Sequence, residues 1–144
     1  MDKGQARERT EQARVARLAT RTKDDRIDLV PMTFAFDDDR IVTIVDHKPK
    51  TTMRLQRLDN IDANPEVAIV IDEYDDDDWS ALWWVRLRGL AQVIEEGELH
   101  ERAVNALVAK YPQYREQVPS GPVISIEIIR WQWWSSDAAL ADPS

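Results

Sequence analysis

Residues 41–71 read IVTIVDHKPKTTMRLQRLDNIDANPEVAIVI. Ile41 to Asp46 is β-branched almost throughout, as a strand buried on both faces would be. Pro49 breaks that strand, and Thr51 or Thr52 can cap a helix running to about Ala63. Leu55, Leu58 and Ile61 make the helix's buried stripe, with Arg54 and Arg57 off it. Asn64-Pro65 stops the helix, because the residue before a proline is pushed out of helical geometry. Val67 to Asp72 is a second apolar strand. A basic turn therefore feeds a helix start. Unpaired N–H groups and the positive end of the helix dipole favour an anion there. Lys48 and Lys50 add full charges, and the Thr51 and Thr52 hydroxyls add donors. From these residues alone, phosphate binding and a solvated turn are equally good readings.

Working outward, Gln5 to Arg14 reads as a short helix and Val15 to Thr22 as a first strand. Lys23 to Arg26 reads as a turn. Asp28 to Phe36 alternates, with Val30, Met32, Phe34 and Phe36 on one face and Leu29, Thr33 and Ala35 on the other. Asp37 to Asp39 is then a hairpin turn. After an acidic loop at Asp75 to Asp78, Leu82 to Ile94 is a long strand. Gly89 within it predicts a bulge, which bends a strand as barrel closure requires. Glu98 to Tyr111 is an amphipathic helix with Leu99, Ala103, Leu107 and Val108 on one side. Val123 to Trp134 is the last strand. About six strands joined by short antiparallel hairpins predict a mainly β (α+β) chain, a six-stranded antiparallel barrel with flanking helices in a single domain spanning residues 1–144.

Composition narrows the function classes. The formal charge of −8, from 19 basic and 27 acidic residues, repels phosphate backbones, so a nucleic-acid partner is not expected. No apolar run approaches the roughly 20 residues needed to cross a bilayer. The charged N-terminal stretch has no apolar signal core, so a cytoplasmic location without membrane attachment is expected. There is no cysteine, and the histidines are His47 and His100, so no metal site is expected. The two aspartate runs lack calcium-loop spacing and read as solvated loops. No Ser-His-Asp set or pair of catalytic carboxylates stands out, so catalytic residues are not assigned.

Six tryptophans is a high count for 144 residues. Trp83 and Trp84 point to opposite faces of one strand. Trp131 and Trp133 share a face, and Trp134 takes the other. Such amphipathic aromatics serve packing, dimer interfaces or stacking on planar ligands. Trp79 is a candidate anchor for the acidic loop.

The order of strand, K-x-K-T, arginine-bearing helix and N-x-x-A-N-P-x-V resembles the phosphate-binding segment of the pyridoxamine 5'-phosphate oxidase-like, or FMN-binding, split barrels. RVARLAT, LVPMTFAF, VDHKPKTT, DWSALWWVRLRG and KYPQYRE are similar to an actinobacterial and archaeal branch assigned to the deazaflavin coenzyme F420. The resemblance spans about residues 14–134. It implies a homodimeric split barrel and an F420-dependent oxidoreductase acting on a small-molecule substrate, with FMN as the alternative cofactor. An FMN-dependent oxidase, a flavin reductase or a non-catalytic carrier would share the same frame. The resemblance places Lys48, Lys50, Thr51 and Thr52 at the cofactor phosphate, with Arg57 there or at the acidic tail. It places Pro31, Met32 and Thr33 along the ring system, with Val45 and Asp46 beside it. At least one tryptophan is expected to approach the ring pocket across a dimer interface, with Trp84 the candidate cofactor-binding residue. The first hairpin lacks the usual glycine, and Met53 stands where a basic residue is common.

Overall fold

The computed structural model describes residues 1–45 and 52–136, with side chains from residue 56 onward in the helix that begins at Thr52. Helix α1 (Lys3–Gln12) leads into β1 (Ala16–Arg21), β2 (Ile27–Met32), β3 (Ala35–Asp37) and β4 (Arg40–Ile44). Helix α2 (Thr52–Ala63) and β5 (Glu66–Glu73) follow. A 3-10 turn at Trp79–Ala81 precedes β6 (Trp83–Ile94). Helices α3 (Glu98–Lys110) and α4 (Pro112–Glu116) then lead to β7 (Val123–Ser135).

Each strand pairs antiparallel with its neighbours in one seven-stranded sheet of order β2-β1-β5-β6-β7-β4-β3. The sheet is therefore antiparallel and mainly β, as expected, but has seven strands rather than six. The added strand comes from splitting the predicted segment Asp28 to Phe36 at Thr33 and Phe34. The alternation of faces survives the break. Met32 and Phe34 are buried in the main core, and Ala35 faces a second one. The two edge strands, β2 and β3, are consecutive in the chain. A two-residue link reaches about 7–10 Å at most, so the sheet must curl until its edges meet at Thr33-Phe34.

The concave side holds the main core, built on Leu18, Phe34, Ile41, Ile69, Val85, Leu87 and Ile126. The second cluster packs α3 through Ala103 and Leu107 against Val42, Ile44 and Val123. Strand β4 lies between the two clusters, which is why Ile41 to Ile44 is apolar on both faces. Leu99, in the first turn of α3, stands outside that packing at 47 % exposure.

The bulge predicted at Gly89 is present. Arg88 pairs with Arg130 and Gly89 with Ile128, leaving Ile129 unpaired on β7. A Cβ at position 89 would lie 2.6 Å from both the Glu127 carbonyl oxygen and the Ile126 Cγ2. Glycine is required there because two backbones approach too closely for any side chain.

The Asp37–Asp39 turn is not a freely solvated loop. Arg7 donates to the Asp39 carboxylate and the Asp38 carbonyl, both at 2.6 Å. Arg102 donates to Asp37 and Asp38 at 2.9 and 2.8 Å. Arginines from α1 and α3 thus clamp the turn from two sides. Trp79 is 65 % exposed, and its carbonyl accepts from Ser136 Oγ.

Candidate binding site beside helix α2

Helix α2 lies against β1 and β6. Its sequence places Ile61 in the core and leaves Arg57 and Asn60 facing the β1–β2 hairpin. Asn60 is 1 % exposed, and every amide function is used. Its Nδ2 donates to Thr20 Oγ1 at 3.0 Å and to Asp28 Oδ2 at 2.7 Å. Its Oδ1 accepts from Gln56 Nε2 at 2.8 Å. The network fixes one wall of a cleft of about 200 Å³ that Leu29, Val30 and Arg57 also line.

Arg57 closes the cleft. Its Nε is buried and has no hydrogen-bond partner, and burial lowers the guanidinium below its ordinary pKa. A buried donor without an acceptor costs on the order of 1–3 kcal/mol, and more when charged. The arrangement is therefore set for an acceptor that the described residues do not supply. The helical pattern places Arg57 off the buried stripe, which holds for the apolar core. It does not show that the hairpin covers the guanidinium from the other side.

The remaining predicted site residues fall in several places. Lys48, Lys50, Thr51 and Asp46 lie outside the described residues, and Thr52 opens α2 with its side chain outside them. Pro31 is exposed, whereas Met32 belongs to the main core. The Thr33 and Tyr114 hydroxyls are 2.7 Å apart, and the Thr33 carbonyl accepts from Thr43 Oγ1. Val45 is buried in the main core, and its N–H donates to the Pro122 carbonyl. Val45 and Met32 thus share one core, while Arg57 faces the neighbouring part of β2 at Leu29 and Val30. Trp84 does not join this cleft. It stands on the opposite face of the sheet, across from Trp134, with the Arg86 guanidinium 5.5 Å from its ring.

The other tryptophans divide as the strand pattern predicts. Trp83 is buried and donates from Nε1 to Glu73 Oε2 at 3.0 Å. Trp131 stacks on Phe36 with centroids 6.4 Å apart, and Trp133 donates to the Met1 carbonyl. These three serve packing within the chain. The cleft residues Thr20, Asp28, Gln56 and Asn60 escaped the sequence reading. They are isolated polar residues on three elements, and no fixed spacing marks them in the sequence.

A model of the pyridoxamine 5'-phosphate oxidase family matches residues 3–135, and the chain belongs to that family. No curated protein matches the sequence. Solved structures share the fold. A conserved hypothetical protein from Mycobacterium tuberculosis is 21 % identical with a TM-score of 0.78, covering 100 % of this chain and 91 % of that one. A FAD-binding protein from Mesorhizobium loti is 18 % identical with a TM-score of 0.70, covering 92 % and 94 %. The heme storage protein HutZ from Vibrio cholerae is 14 % identical with a TM-score of 0.72, covering 92 % and 93 %. A protein named for FAD binding and one named for heme storage thus share this fold. Among the described residues, no helix is long and apolar enough to cross a membrane.

Proposed function

We propose that this chain is a homodimeric oxidoreductase that uses coenzyme F420 to exchange a hydride with a planar or hydrophobic small molecule. The observation that carries the reading is the buried, unpartnered Nε of Arg57 in the cleft beside α2. In the sequence it follows Lys50 by seven residues, on the helix at whose start an anion site is expected. A guanidinium with a free donor suits a phosphate oxygen or a carboxylate.

The residues present fit an anionic cofactor. Arg57 would bind its phosphate or the first acid of its tail, supported by Lys48 and Lys50. Asn60 holds Thr20 and Asp28 in place, so the cleft wall is rigid before the ligand arrives. Bound deazaflavin would supply two-electron hydride chemistry, and the protein would bind and orient it. The choice of F420 over FMN rests on the resemblance of residues 14–134.

A volume of about 200 Å³ falls below the roughly 300–1,000 Å³ of sites that bury a whole drug-sized ligand. The cleft accommodates the charged end of a cofactor, and the ring needs further surface. The convex sheet face supplies a source in a second copy. Ile27 and Leu29 are 75 % and 65 % exposed, and Trp134 is 42 % exposed beside Trp84. Neighbouring apolar side chains left in water favour association, and a two-fold dimer would bring Trp84 of one protomer toward the cofactor of the other.

The family name favours a second reading, an FMN-dependent oxidase. The test is a side-by-side titration of apo-protein with F420 and FMN, with extraction of the ligand from protein made in a host that produces both. Tighter binding and recovery of F420 are expected. Recovery of FMN would transfer the assignment to the oxidase, and binding of neither would remove the cofactor reading.

A further inference from the structure

A second cavity, of about 430 Å³, lies between α1, the β3–β4 turn and the end of α3, and shares no lining residue with the cleft at Arg57. Lys110 lines it. Its Nζ is buried, has no hydrogen-bond partner among the described residues, and rests 3.9 Å from the centroid of Phe34. Tyr111 is shared by two cations: Arg14 Cζ lies 4.7 Å from its ring centroid and Lys110 Nζ 5.3 Å. Arg14 also donates to the Lys110 carbonyl at 3.0 Å, which holds the guanidinium in place. Of the other charged groups around this cavity, Arg7 is bonded to Glu11 at 2.8 Å and to Asp39 at 2.6 Å.

We propose that Lys110 is a carbon dioxide-binding lysine whose carbamate is held by Arg14. The amine lone pair forms the N–C bond while one C=O π pair moves onto oxygen. The nitrogen then releases one proton to water, so the step needs no oxidant, reductant or further reactant. Carbon dioxide is small, neutral and apolar, and can reach an amine seated on a phenyl ring where a charged electrophile would have to be desolvated. The product replaces a cation–cation repulsion at Tyr111 with an attraction between the carbamate and Arg14. Glu11 opposes the product, but its charge is engaged by Arg7.

Only a neutral amine adds to carbon dioxide. The Lys110 ammonium is lowered from 10.5 to about 8, chiefly by burial, with repulsion from Arg14 adding to the fall and the pull of Glu11 opposing it. Near neutral pH this chain therefore keeps an appreciable share of Lys110 uncharged, whereas an ordinary lysine is almost wholly protonated.

The test uses the full-length protein incubated with isotope-labelled bicarbonate and carbon dioxide at about pH 8, trapped with triethyloxonium ion, digested and read by mass spectrometry. Lys3 and Lys23, both exposed, are internal controls. Label at Lys110 is expected at roughly tenfold or more over either control, and Arg14→Gln should lower it several-fold while Lys3 and Lys23 stay unchanged. Label at Lys110 no higher than at the controls overturns the proposal. Undiminished label in Arg14→Gln overturns the role of Arg14.

Discussion

The Tyr111 hydroxyl accepts the N–H of Phe34 at 3.1 Å, with the Phe34 and Arg14 carbonyls at 3.1 and 2.9 Å. A side chain at the end of α3 thereby serves the backbone where β2 gives way to β3. Thr33, on the same link, has its hydroxyl beside that of Tyr114. Two tyrosines replace the ladder bonds that the strand break gives up.

Removing that hydroxyl leaves a buried N–H without an acceptor. Tyr111→Phe should destabilise the fold by about 1–3 kcal/mol, read as a lower urea midpoint at unchanged slope. A midpoint equal to wild type would mean that water or another group serves Phe34.

The Gly89 contact predicts a backbone effect. Gly89→Ala forces a methyl into the Glu127 carbonyl and the Ile126 side chain. The strands must part, at a cost of about 1–3 kcal/mol. Gln92→Ala, on the solvent side of the same strand, is the control and should change little.

Arg57→Leu should move two readings in opposite directions. The apo-protein gains stability, since a buried unpaired charge is replaced by an apolar side chain. Cofactor affinity falls by about ten- to a hundredfold, the worth of one charge-assisted bond of about 1.5–3 kcal/mol. Thermal melting without ligand and titration with it separate the two. Unchanged affinity removes Arg57 from the site.

Lys110 makes stability depend on pH in a stated direction. Its folded pKa of about 8 lies below its ordinary 10.5, so between these values the unfolded chain binds the extra proton. Stability therefore rises with pH across that window. After allowance for solvent screening, the gain is about 1 kcal/mol. Above about 10 the sign reverses at Tyr111, whose pKa burial raises, because the unfolded tyrosine ionises first. Lys110→Met should flatten the rise between pH 8 and 10 in urea titrations. A rise of equal size in the variant would assign it to another group.

The exposed pair Ile27 and Leu29 tests the dimer. Leu29→Lys places a charge in the exposed apolar pair on edge strand β2 and should shift sedimentation at micromolar concentration from dimer to monomer. Wild-type protein that sediments as a monomer removes the dimer itself.

The strand pattern made most of the sheet legible in the sequence. Alternation gave both faces of β6, the bulge at Gly89 and the division of Trp83 from Trp84, because these depend on neighbours in the chain. The break at Thr33-Phe34 was not legible. Its cause is a tyrosine 77 residues away, and periodicity carries no record of distant partners. Helix α4 does begin with a proline at its first turn, a signal that Tyr111-Pro112 offered and that the longer helix before it obscured. Of the candidate site, Arg57 was legible as a basic residue near a helix start. Its burial was not, since that depends on how the β1–β2 hairpin folds over it.

Strand order has a consequence for synthesis. Strand β7 is the last to leave the ribosome, yet it lies between β6 and β4. Until residues 123–135 emerge, the nascent chain can form only two separate pieces, β2-β1-β5-β6 and β3-β4. Val85 and Leu87 on one piece and Ile41 on the other then lack the strand that joins them. The closing step must span some 80 residues between Val42 and Ser125, which slows folding as contacts distant in sequence do. A chain stalled at that point presents two open apolar edges, and it is there that a chaperone would find it.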